Sequence, residues 1–243
     1  MPPKDKEKEM NADRKIAILA GALYFLGIIA GALSVVPVID VPDYLVQISA
    51  HAIQVSSGAL FQFLMTAAYV GMAITLYPIL KKYNESLALG YVGFRLIAVV
   101  FNVIGVIILF LLSTLSQEFV KAGAPVLSYF QTIGELLRTG RDLVNHAGVI
   151  LVLSMGGLMF YYLLYQTKLV PRWLSSWGLA GTAVTIAASC LFMFRIINLT
   201  TSVFIDLPLV LQEVVFAIWL IVKGVNPSAA AKPAKVELGT QPF

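Results

Sequence analysis

Two ionisable residues stand deep inside apolar runs: Arg95 in LALGYVGFRLIAVVFNVI and Glu213 in LQEVVFAIWLIVKG. A charge at the centre of a bilayer costs about 2.5–3.5 kcal/mol on insertion scales unless it is paired or wetted, so each needs a reason to be there. Counted from the run ends at Ser86 and Lys223, both lie roughly 14 Å deep at ~1.5 Å per residue. Opposite charges at equal depth on separate helices invite pairing. Such a pair serves either as a staple that fixes helix register or as a site that lines a pocket, gates a path or carries protons. Tyr24 reaches a similar depth and Tyr69 a slightly more outward one, which brings two hydroxyls within range of the pair. A second tier is polar but uncharged: Gln62, Asn102 and the adjacent Asn145 and His146 map to the outer half of the bilayer. Arg95 and Asn102 are seven residues apart and share a helix face, which joins the two tiers. This pattern predicts a polar cleft open to the outside. The simpler role for each amide is a hydrogen bond to a neighbouring helix.

Other chemistries find no residues to carry them. His51 and His146 differ in depth by ~15 Å, so one ion cannot reach both. With no third histidine, no HExxH and no clustered carboxylates, neither zinc, di-iron nor bis-histidine haem is expected. Cys190, the single cysteine, lies in an apolar run, where it reads as a small packing residue rather than a redox or metal ligand. Ser154, Ser175, Ser176 and Ser189 lack the GxSxG context of an activated nucleophile, and no glycine-rich phosphate loop precedes a helix. No catalytic residue, cofactor or metal is therefore assigned, and nucleotide-driven coupling within this chain is excluded.

The elements that position these residues are set by hydropathy. Of 243 residues, 59% are hydrophobic and only 12% charged, which removes soluble, disordered and fibrous classes together. Six apolar runs, at about 16–36, 55–80, 86–115, 143–166, 175–197 and 204–222, are long enough to cross ~30 Å of hydrocarbon. Without two-residue alternation they predict helices rather than a barrel. The first run is too long for the core of a cleaved signal peptide and reads as a retained span. The expected fold is an all-α polytopic bundle of six transmembrane helices over 16–224. A charged tail at 1–15 and a small-residue, proline-rich tail at 225–243 are both expected to be disordered.

Sidedness follows the basic residues. Placing the N-terminus in the cytoplasm puts twelve Lys and Arg on that side and four on the other, so both termini are expected to be cytoplasmic and the chain to lie in the plasma membrane. The basic surplus thus marks topology rather than a nucleic-acid face. In the KLVPRW turn, Lys168 and Arg172 anchor at the inner leaflet and Trp173 and Trp177 sit at headgroup level. Two short helices are expected at the outer interface. One follows Asp43 as N-cap and carries Leu45, Ile48, Ala52 and Val55; the other follows Pro125 and carries Val126, Phe130, Ile133 and Leu137. Both cover apolar bundle tops, and the second is placed to act as a lid. Gly27 with Gly31, and Gly178 with Gly181, Thr182, Thr185 and Ala188, give small faces for close helix approach.

The segments RKIAILAGALYFLGIIAGAL, LALGYVGFRLIAVVFNVI, YYLLYQTKLVPRWLSSWGLAG and LQEVVFAIWLIVKG together span 14–224. In them the chain resembles a family of bacterial and archaeal six-helix membrane proteins catalogued as domain of unknown function 4386. The resemblance implies that Arg95, Pro171, Gly178, Glu213, Trp219 and Gly224 occupy characteristic family positions. It implies no activity. Three function classes remain. The first is a protein that binds or transports a small amphipathic or anionic, lipid-like molecule over the Arg95 and Glu213 pair. The second is a structural or regulatory subunit with a membrane-protein partner. The third is an intramembrane lipid-modifying enzyme with Glu213 or His146 as general base, for which no nucleophile or metal motif exists.

Overall fold

The computed structural model describes residues 3–125 and 129–226, and among these it is helical with no strand. The helices are α1 (Pro3–Leu33), α2 (Tyr44–Ala50), α3 (Ala52–Leu80), α4 (Glu85–Lys121), α5 (Tyr129–Asp142), α6 (Ile150–Thr167), α7 (Arg172–Met193) and α8 (Leu199–Val222). A π-helical turn at Leu143–Val149 joins α5 to α6 without a break. Six helical segments among the described residues are long and apolar enough to cross a membrane: α1, α3, α4, the α5–α6 run, α7 and α8. The chain is a multi-pass membrane protein.

Local sequence sets the helix ends. The Asn84 side chain caps α4 by accepting from the Leu87 N–H at 3.0 Å, and Asn198 caps α8 by accepting from Thr201 at 2.8 Å. That second cap starts the sixth span five residues earlier than hydropathy suggests. Pro171 separates α6 from α7, after Lys168 has turned the chain with φ of 57°. Helix α1 begins at Pro3, so its charged stretch continues the span instead of forming the loose tail expected for 1–15. No Gly or Pro falls within 4–15, and Lys, Glu, Met and Ala are strong helix formers. Val126 and the tail from 227 onward lie outside the described residues.

The spans form a ring. Each packs chiefly on its neighbours in the chain, α1 on α3, α3 on α4, α4 on α6, α6 on α7 and α7 on α8, and α8 returns to α1. Two apolar clusters fill this ring at different levels. One, built on Tyr24, Met72, Tyr91, Phe160, Tyr161 and Phe216, lies toward the turns that carry Lys81, Lys168 and Lys223, here termed the basic face. The other joins Ile39, Leu45, Ile48, Leu109, Phe119 and Phe130 at the opposite face. There α2 and α5 cover α4, whose 37 residues span ~55 Å and outrun the hydrocarbon. Ser116 donates to the Leu45 carbonyl, and Arg138 donates to Ile39 at 3.4 Å while lying 5.1 Å from the Tyr44 ring. The interfacial helix expected after Pro125 is therefore an extension of the fourth span that leans on α4.

The two ends of the membrane domain meet on the basic face. Arg14 donates to the carbonyls of Leu220, Ile221 and Val222 at 3.3, 2.8 and 2.9 Å, which satisfies the last turn of α8. Gly224, with φ of 74°, turns the chain there, and a Cβ on it would meet the Arg14 guanidinium at 2.8 Å. Asp13 pairs with Lys82 at 3.3 Å on the same face.

Candidate functional site

Between the two apolar clusters, α3, α4, α6, α7 and α8 line a partly open cavity of about 150 Å³. Its charged lining is Arg95 from α4 and both Asp206 and Glu213 from α8; Tyr69, Tyr161, Ser154, Thr182 and Thr185 add hydroxyls. Asp206 and Glu213 are seven residues apart, so the helical repeat puts both on one face of α8. Pro208 between them cannot donate a backbone hydrogen bond, which loosens α8 beside the cavity.

Arg95 is only 7% exposed. Its guanidinium carbon lies 5.0 Å from the Tyr69 ring centre and 5.4 Å from that of Tyr91, so two aromatic faces take the place of water around the charge. Its Nε is buried and has no hydrogen-bond partner. Among the described residues neither Arg95 nor Glu213 forms an ion pair. The direct pairing invited by equal depth is thus replaced by two charges on the walls of one cavity. The physical reason lies in the ring: α4 packs on α3 and α6, α8 packs on α1 and α7, and the two do not pack on each other.

Toward the basic face the cavity is closed by aromatic packing. Tyr91 stacks on Phe160 at 4.5 Å, Phe216 meets Tyr24, Phe160 and Tyr161 edge-on at 6.0, 5.6 and 6.1 Å, and Tyr24 meets Tyr69 at 5.6 Å. The hydroxyls are tied as well. Tyr161 donates to Gln212 Oε1 at 2.8 Å and lies 3.5 Å from the Tyr24 hydroxyl, while Gln212 donates to the Leu174 carbonyl at 3.1 Å. Glycine permits the close approach that sets Tyr161, since a Cβ on Gly178 would meet its ring at 2.4 Å.

The expected residues divide into two groups. Arg95, Glu213 and Tyr69 line the main cavity, and Tyr24 lies just beneath it against Tyr69 and Tyr161. Asn102 joins Arg95 and Tyr69 in a small adjoining cavity of about 20 Å³ and donates to Thr66 Oγ1 at 2.5 Å. Gln62 and His146 line neither cavity. Gln62 is buried one turn from Thr66 with its Oε1 unpartnered, and His146, in the π-helical turn, packs edge-on against Phe192 at 5.8 Å with Nδ1 unpartnered. The outer tier is thus buried between helices: Gln62 is 7% and Asn102 3% exposed, which does not match an open cleft along α3 and α4. A larger depression of about 540 Å³, lined by Asp142, Phe192, Arg195 and Asn198, opens instead where the C-terminal ends of α5 and α7 meet the start of α8, on the side away from the basic face.

A family model described as a domain of unknown function (DUF4386) matches residues 19–224. The chain belongs to this family. The DUF4386 match runs from the first span to the Gly224 turn and so contains the whole ring, Arg95 and Glu213 included. No curated protein and no solved structure matches the chain. No group of three or more histidines, cysteines or carboxylates able to hold a metal is present among the described residues.

The residues that escaped notice are Asp206, Gln212, Tyr91 and Tyr161. Asp206 had a readable signal in its seven-residue spacing from Glu213, obscured by placing the helix start too late. The tyrosines had none, because an aromatic in an apolar run looks like core.

Proposed function

We propose that this DUF4386 protein binds, and through binding transports or senses, a small amphipathic or anionic molecule whose polar end enters the central cavity. One observation carries the reading: a buried arginine and two carboxylates face one cavity without forming an ion pair. A staple favours direct, bidentate contact between packed helices, whereas α4 and α8 are not neighbours in the ring and no ion pair joins Arg95 to Glu213 or Asp206 among the described residues. A ligand with an acceptor or anionic group for Arg95 and donors for Asp206 and Glu213 would complete all three. At about 150 Å³ the cavity is smaller than the ~300 Å³ at which whole drug-sized ligands begin, so it suits a headgroup or a solute of few atoms. The outer depression near Phe192 and Asn198 supports entry from the face opposite the basic turns. With the basic turns cytoplasmic, as the charge bias favours, both termini are cytoplasmic, the protein resides in the cell membrane and the ligand approaches from outside.

The test is extraction. Wild-type chain and Arg95→Gln are purified identically in mild detergent, and their organic extracts are compared by mass spectrometry. A carboxylate- or phosphate-bearing molecule retained near one per chain by the wild type and lost from Arg95→Gln supports the reading. Matching extracts from two folded proteins refute it.

A further inference from the structure

A second cavity, of about 510 Å³, lies on the basic face and shares no residue with the central one. It is built where the α6–α7 turn meets the end of α8, and three cations surround it: Lys168, Arg172 and Lys223. Among the described residues, none of those lining it is acidic. Among the described residues the three cations form no ion pair, and Arg172 is engaged only by the Tyr165 ring at 5.2 Å. Three uncompensated cations around one depression repel one another and concentrate anions. The segment is held in place, because the Asn226 N–H donates to the Leu169 carbonyl at 2.8 Å and locks the end of the domain onto the turn. Helix α7 starts at Arg172, so its first backbone N–H groups and positive dipole end point to the same place.

The other half of the cavity is apolar. Pro171 and Trp219 form its wall, Trp173 meets Trp219 edge-on at 6.4 Å and lies 6.5 Å from Trp177, and Trp173 remains 53% exposed. Indole rings concentrate at headgroup level, where one edge is apolar and the other wet. Cations above and indoles beside describe the two parts of a phospholipid's polar region. We propose that this cavity seats the phosphodiester headgroup of an anionic membrane lipid, its phosphate among Lys168, Arg172 and Lys223 and its glycerol region against Pro171 and Trp219. Arg172 supplies a planar fork matched to phosphate oxygens, and the lysines add point charge.

The protein reports on this site by itself, for its three tryptophans are Trp173, Trp177 and Trp219. Full-length chain in phosphatidylcholine nanodiscs is titrated with brominated phosphatidylglycerol or brominated phosphatidylcholine, and tryptophan quenching is followed. The expected result is a saturable component near one lipid per chain with the glycerol lipid, and only a gradual, unsaturated loss with the choline lipid. Each cation removed weakens the saturable component about fivefold, and the triple variant Lys168→Asn, Arg172→Gln, Lys223→Gln by on the order of 100-fold. Asn is chosen at 168 because it tolerates the positive φ. Lys121→Gln, at the opposite end of α4, leaves the curve unchanged. Equal quenching by the two wild-type titrations overturns the proposal without recourse to any variant. So does a saturable tryptophan response to millimolar inorganic phosphate in discs where the brominated glycerol lipid gives no saturable component, since a soluble anion would then be the occupant.

Discussion

Replacing Arg95 with Gln separates a site from a staple by the size of the stability change. In the structure Arg95 is held by two aromatic faces, each worth about 0.5–2 kcal/mol for a desolvated cation, so roughly 1–4 kcal/mol is lost when the charge goes. Against this stands the cost of keeping arginine at depth, about 2.5–3.5 kcal/mol on insertion scales, which Gln largely avoids. The two nearly cancel, and Arg95→Gln should change unfolding free energy by less than about 2 kcal/mol. Glu213→Gln should behave alike, because no ion-pair partner is stranded. A buried ion pair behaves otherwise: removing one partner costs about 3–5 kcal/mol, and neutralising both recovers much of it. The assay is reversible unfolding in mixed micelles, followed by helicity, for both single variants and the double. Losses of about 3–5 kcal/mol in both singles, recovered in the double, would refute the open-cavity reasoning.

Three further outcomes follow from particular contacts. Arg14→Ala removes three hydrogen bonds to the last carbonyls of α8 and should lower stability by about 2 kcal/mol, with Arg14→Lys recovering only part because it lacks the fork; thermal unfolding in detergent measures both. Gly178→Ala drives a methyl into the Tyr161 ring and should cost about 1–3 kcal/mol, whereas Gly93→Ala, with nothing within 4 Å of its Cβ, should be neutral or stabilising by up to ~1 kcal/mol. In a Cys190-free chain, a cysteine at Asn198 should react readily with an impermeant thiol reagent applied from the face opposite the basic turns, and one at Asn102 should not; the reverse order contradicts both the depression at Asn198 and the burial of the Asn102 tier.

The division between what was legible and what was not has a physical cause. Hydropathy states which residues lipid accepts, so the six spans, their turns and the cost of Arg95 and Glu213 could all be read directly. Depth along a helix is also legible, because the rise per residue is fixed, and it placed Tyr24, Arg95 and Glu213 at one level of the bundle with Tyr69 slightly further out. Azimuth is not. Whether α4 and α8 touch depends on how the ring closes, and closure is decided by small contacts such as Gly178 on Tyr161 and Gly21 on the Ala217 carbonyl, which carry no hydropathy signal. The expected pair therefore became two walls of a cavity. Helix starts fail for a related reason: Asn198 and its bond to Thr201 added a turn that carried Asp206 from a helix end into the lining.

The aromatic floor also bears on whether binding leads to transport. A depression near Phe192 and Asn198 opens on the face opposite the basic turns, while toward the basic face Tyr91 stacks on Phe160, and Tyr24, Phe160 and Tyr161 meet Phe216 edge to face beneath the cavity. A receptor needs nothing more. A transporter must open that floor, and the chain of bonds from Tyr24 through Tyr161 and Gln212 to the Leu174 carbonyl is what it must break. Tyr161→Phe cuts the chain while keeping the ring, at a cost of about 1 kcal/mol in stability. If the floor is a gate, this variant should make a cysteine at Ser154 react with a polar reagent applied from the basic face, where the parent chain does not. If the accessibility from that face stays nil, the floor is permanent packing and the cavity serves binding alone.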